Sequence, residues 1–69
     1  MNSILIYING KNYYCSPCMT ISELITYLNF DINLIVVEYN KEIISKNLWP
    51  VTGLQEGDKL EILTLVGGG

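Results

Sequence analysis

Ile4-Leu5-Ile6-Tyr7-Ile8-Asn9-Gly10-Lys11-Asn12-Tyr13-Tyr14-Cys15 reads as a β-hairpin. Ile4, Ile6 and Ile8 fall on one face of a strand and Leu5 and Tyr7 on the other, the two-residue period of a pleated chain. Asn9-Gly10 is a tight-turn signal, because both residues tolerate the positive φ that such a turn needs. A second strand, about Lys11 to Cys15, then returns antiparallel to the first. Ser16-Pro17 breaks the strand pattern.

Beyond the hairpin the period changes. Thr20-Ile21-Ser22-Glu23 has the form of a capping box, with Met19 and Leu24 at the staple positions on either side. Ile21, Leu24, Ile25 and Leu28 follow at i, i+3, i+4 and i+7, so one face of a short helix is apolar. A helix this short needs a sheet to pack against. Residues Asn29 to Asn33 end it.

Leu34 to Tyr39 is an apolar run of strand type, expected at the centre of the sheet with both faces buried. Asn40-Lys41 turns the chain into a brief strand at Glu42 to Ile44. Trp49-Pro50 falls in an irregular connection, where the indole is expected to plug the edge of the core. Leu54 to Asp58 forms a tight turn. Lys59 to Leu65 is the last strand, with Leu60 and Ile62 facing inward and Glu61 and Leu63 outward. This order predicts an α+β two-layer roll: a mixed four- to five-stranded sheet with one main helix on one face. The first and last strands should lie parallel and side by side at the centre. One domain is expected over residues 1–66, followed by a flexible glycine tail at 67–69.

Composition narrows the function. The chain has 69 residues, 49% hydrophobic and 16% charged, which fits one compact soluble domain with a small core. Its net charge is −3, and its four lysines are scattered with no arginine, so a nucleic-acid role is excluded. An acidic domain is steered instead toward basic surfaces on proteins. No apolar run approaches the ~20 residues of a membrane span, and no basic flank precedes the first apolar stretch. The mature chain is therefore expected to begin near Met1 and to work in a cytosol-like compartment. Richness in Ile, Asn, Tyr and Lys with no Ala or Arg hints at an AT-rich coding genome, such as that of an organelle.

The final residues Leu65-Val66-Gly67-Gly68-Gly69 place a carboxylate on a tether without side chains. Glycine passes through a slit too narrow for bulkier residues. At about 3.3–3.6 Å per extended residue, Gly67 to Gly69 would carry it roughly 10 Å outward. Such an end suits a terminus that is itself the reactive group.

Val36-Val37-Glu38-Tyr39-Asn40-Lys41-Glu42-Ile43-Ile44, then Trp49, Glu56-Gly57-Asp58-Lys59-Leu60-Glu61-Ile62 and the closing Val66-Gly67-Gly68-Gly69 resemble the thiamine-biosynthesis sulfur carriers of the ThiS family. The likeness spans essentially the whole chain. It departs at Ser45, where proline is frequent in such proteins, and at Lys46, where arginine is usual. The resemblance implies a ubiquitin-like β-grasp fold and a carrier without an active site of its own. It implies that a ThiF-like adenylyltransferase uses ATP and Mg²⁺ to convert the Gly69 carboxylate to an adenylate. Sulfur from a cysteine desulfurase route then leaves a thiocarboxylate, and a ThiG-like thiazole synthase takes up that sulfur. Gly67 and Gly68 would enter the partner's site. The outward sheet face would dock the partner through an apolar patch of Leu5, Tyr7 and Leu63 flanked by Glu38 and Glu61, with Leu65 and Val66 guiding the tail. The carrier is taken as a monomer with no bound cofactor, in a bacterial cytoplasm or, if organelle-encoded, a plastid stroma.

Three other readings compete. The small subunit of molybdopterin synthase (MoaD-like) shares the fold and the tail chemistry, and a ubiquitin-like modifier uses the same activated terminus. Cys15-Ser16-Pro17-Cys18 is a C-x-x-C beside a helix start, which admits a redox role. It lacks the βαβ setting of thioredoxin-type motifs. Two cysteines and no histidine also fall short of a zinc site.

Overall fold

The structure is a computed structural model and describes residues 2–65. Five strands, β1 (Ile4–Ile8), β2 (Lys11–Cys15), β3 (Ile35–Tyr39), β4 (Glu42–Ile43) and β5 (Lys59–Thr64), form one sheet in the order β2-β1-β5-β3-β4. β1 and β5 run parallel, and the other neighbours are antiparallel. One helix, α1 (Ile21–Tyr27), covers one face, so the expected α+β two-layer roll is the fold of the chain.

Local chemistry explains the elements. Asn9 and Gly10 take φ values of 51° and 82°, and Asn40 and Lys41 take 50° and 76°, which gives both hairpins turns whose twist matches their strands. Thr20 caps α1 by accepting from the Glu23 N–H at 3.1 Å, while the Glu23 carboxylate accepts from the Thr20 N–H at 2.9 Å. At the other end Asn29 turns left-handed at φ 65°. The Asn29 N–H donates to the Thr26 carbonyl and the Phe30 N–H to the Ile25 carbonyl, at 3.0 and 3.2 Å. These two bonds are a Schellman close, and asparagine supplies the conformation usually given by glycine.

The core is Ile6, Ile8, Ile21, Leu24, Ile25, Ile35, Val37, Trp49, Leu54, Leu60 and Ile62. Trp49 closes its edge, as expected, and its indole N–H donates to the Ile44 carbonyl at 3.4 Å. Among the described residues no buried side-chain nitrogen or oxygen lacks a partner.

Several expectations need correction. The strand expected from Leu34 starts at Ile35, because Ile32–Leu34 is a 3-10 turn whose cap residue, Asp31, accepts from the Asn33 N–H at 2.9 Å. Nor is β3 the central strand. β5 is, and Val36 and Glu38 on the far face of β3 are only half-buried. An apolar run shows that a strand has neighbours but not which place it takes among them. The connection around Trp49 is itself a 3-10 segment, Lys46–Val51, with Thr52 Oγ1 donating to the Leu48 carbonyl at 2.7 Å. The expected strand at Glu42 to Ile44 ends one residue earlier, at Ile43, and the last strand, expected to reach Leu65, ends at Thr64.

Candidate functional site

The last strand positions the site. β5 leaves the turn at Gly57-Asp58, where Asp58 is only 7% exposed. Its carboxylate accepts from the Tyr39 hydroxyl at 2.7 Å, the Asn40 side-chain amide at 3.2 Å and the Gln55 N–H at 2.8 Å. Burial, then the hydrogen bond to Asp58 and its charge, push the Tyr39 hydroxyl up to about 12. The start of β5 is thus bolted to the end of β3.

Alternation along β5 buries Leu60 and Ile62 under α1 and turns Lys59, Glu61 and Leu63 to the opposite, outward face. The register places outward residues side by side: Tyr7 with Lys59, Glu38 with Glu61, and Val36 with Leu63. Leu5 lies beside Tyr14 of β2 on the same face. Leu5, Tyr7, Glu38, Glu61 and Leu63 therefore share the face away from the helix.

They do not form one apolar patch. Leu63 lies four residues beyond Lys59, the partner of Tyr7, which at about 3.3 Å per residue separates the two by roughly 13 Å along the sheet. Glu38 and Glu61 sit at the level between them. Leu5 and Tyr7 belong with Tyr14 at one end of the face, and Leu63 belongs with Val36 at the other. Leu65, 51% exposed, donates its N–H to the carbonyl of the 45%-exposed Leu34 at 2.6 Å, so these two extend the second cluster toward the C-terminus. Val66, Gly67, Gly68 and Gly69 lie outside the described residues.

Several residues at this end escaped the sequence reading. Val36 and Leu34 were visible only as parts of an apolar run. Asn9 was visible only as a turn residue, yet its side-chain amide reaches Ile62 of β5. Nothing local to Asn9 signals that reach.

The cysteines lie elsewhere. Cys15, half-buried at the end of β2, has its thiol pushed up by burial and then by the charge of Asp58, while Cys18 is exposed in the turn before α1. A raised thiol is the opposite of what a nucleophilic cysteine requires. Among the described residues no group of three or more His, Cys, Asp or Glu side chains could hold a metal ion, and no helix is long and apolar enough to cross a membrane.

Comparison with known proteins agrees with this geometry. The ThiS family model matches residues 6–69. The chain is 40% identical over 63 residues to the uncharacterized protein ycf40 of Trieres chinensis, covering 91% of this chain and 86% of that one. It is 33% identical to the sulfur carrier protein ThiS of Bacillus subtilis, covering 94% of this chain and all of the other. A thiazole synthase of Paramagnetospirillum magneticum is 38% identical over 64 residues, which are 93% of this chain and 20% of that protein. The crystal structure of the thiamine biosynthesis protein ThiS from Geobacter metallireducens superposes with a TM-score of 0.83 at 26% identity, over 96% of this chain and 100% of that one. A parallel first and last strand, a single covering helix and a sequence match running through the glycine end place the chain in the ThiS family.

Proposed function

We propose that this chain is the sulfur carrier of thiazole formation in thiamine biosynthesis, and that its reactive group is the Gly69 carboxylate. A ThiF-like enzyme binds ATP and Mg²⁺, and the carboxylate oxygen attacks the α-phosphorus with loss of pyrophosphate. This turns a poor leaving group into AMP. A persulfide formed through a cysteine desulfurase then attacks the carbonyl carbon and expels AMP, and a thiol reduces the resulting acyl disulfide to leave the thiocarboxylate and a disulfide. A ThiG-like thiazole synthase receives that sulfur. The carrier contributes its terminus and a docking face and no catalytic side chain.

The observation that carries this reading is the family match through Gly69, joined to a fold in which the central strand leads directly toward that end. The thiazole synthase relative supports the acceptor, since a segment like this chain occurs within a protein of that name. The reading places the carrier in a plastid stroma or a bacterial cytoplasm, in keeping with relatives among the ycf40 proteins and in Bacillus subtilis.

The test is intact mass spectrometry after incubation with ATP, Mg²⁺, a ThiF-like enzyme and a sulfur donor. A gain equal to exchange of one oxygen for sulfur, mapped to Gly69, is expected. Deletion of Gly69 should abolish it and leave the circular dichroism spectrum unchanged. An unmodified wild-type chain, with the enzyme active on its own carrier, would overturn the reading.

A further inference from the structure

Asn9 occupies the first position of the β1–β2 turn at φ 51°, a left-handed conformation that asparagine tolerates. The turn accounts for its backbone but not for its side chain. Oδ1 accepts from the Ile62 N–H at 2.7 Å, and Nδ2 donates to the Ile62 carbonyl at 3.3 Å. Its own N–H donates to the Leu60 carbonyl at 2.9 Å. One residue therefore holds two successive steps of β5, by backbone at Leu60 and by side chain at Ile62. Strand pairing between β1 and β5 reaches only Ile8 and Leu60, so the amide stands in for the strand residue that the turn has taken away. Ile62 is also the last core residue of β5, and Leu63, Thr64 and Leu65 after it are exposed.

We propose that Asn9 is a positioning residue for the C-terminal tail, its amide extending the β1-side edge of β5 from Leu60 to Ile62. This rests on the carrier reading above. Without the amide, Ile62 loses both bonds on its β1 side, and beyond Leu60 the strand keeps only its β3 edge, as far as Thr64 and the Leu65–Leu34 bond, so the exit toward the tail is less well ordered before an activating enzyme binds it. That ordering is completed on binding and is not part of the carbonyl chemistry. The effect therefore falls on KM and not on kcat.

Asn9→Gly separates the turn from the amide, because glycine keeps the left-handed φ and deletes the side chain. Asn9→Asp keeps an acceptor for the Ile62 N–H and loses the donor. Each full-length variant is assayed for ATP- and Mg²⁺-dependent adenylation by a ThiF-like enzyme, with hydrogen exchange of its backbone amides followed by NMR. Asn9→Gly should raise KM about 3- to 10-fold, as expected for two modest hydrogen bonds, with kcat unchanged. Asn9→Asp should fall between it and the wild type. The Ile62 amide should exchange faster while those of Ile6 and Val37 stay protected. Faster exchange at Ile62 with an unchanged KM would overturn the proposal and leave Asn9 a structural staple. A uniform loss of protection across the sheet would also overturn it, since the effect would then be global unfolding. A wild-type chain that is never adenylated would overturn the carrier reading and this one with it; an active wild type with an unaffected Asn9→Gly variant would overturn this one alone.

Discussion

The Tyr39 hydroxyl donates to the buried Asp58 carboxylate over 2.7 Å and so ties the end of β3 to the turn that launches β5. The folded chain holds the Tyr39 proton to about 12, against an ordinary value of 10.0. Between those values the folded state binds the extra proton, so this contribution is complete below pH 10.0 and is lost as pH rises through about 12. Tyr39→Phe should cost about 1–2 kcal/mol at neutral pH, because Asn40 and the Gln55 N–H still serve the carboxylate. Urea unfolding of both proteins from pH 8 to 12 checks this. The variant should lose stability less steeply in the alkaline range, and parallel slopes would remove Tyr39 as the cause.

Glu38 and Glu61 stand directly opposite each other on the outward face. Like charges in that relation oppose pairing, so Glu61→Lys should stabilise the free domain by roughly 0.2–1 kcal/mol. The same change removes negative charge from the proposed docking face. Association with a ThiF-like enzyme should slow, most at low ionic strength. Thermal melts and stopped-flow binding at two salt concentrations would reveal the opposite signs, and a faster association would argue against docking through this face.

Lys41 takes φ 76°, a left-handed conformation that costs a residue with a Cβ roughly 1–2 kcal/mol. Lys41→Gly converts the second hairpin to an Asn-Gly turn and should raise stability by about 1 kcal/mol, less what glycine gives back in unfolded-state entropy. A shift in the denaturation midpoint without a change in slope is the expected result.

The two thiols should react in a fixed order. Cys18 is exposed, whereas Cys15 is half-buried and biased toward the neutral thiol by burial. Iodoacetamide at pH 8 should label Cys18 first, and Cys15 should become reactive only on unfolding. Equal native rates would contradict the burial of Cys15 and reopen a dithiol role.

Features whose physics is local could be read from the chain alone. The alternation Ile4-Leu5-Ile6-Tyr7-Ile8, the Asn9-Gly10 turn and the Thr20–Glu23 box each name their own structure within a few residues, and the elements follow. The division of the outward face is of another kind. It depends on Tyr7 lying level with Lys59, a register set by how the Leu54–Asp58 turn delivers β5. Asp58 looks like any turn aspartate until Tyr39 and Asn40 close over it. The reach of Asn9 to Ile62 crosses 53 residues, beyond any pattern or period.

The middle place of β5 has a mechanical meaning. A strand bonded along both edges, parallel to β1 and antiparallel to β3, meets a pull along its axis with all its rungs loaded together. A peripheral hairpin such as β3–β4 would instead open one rung at a time. Were an activating enzyme to draw the far end into a narrow site, as proposed above, the load would fall on a strand paired on both sides.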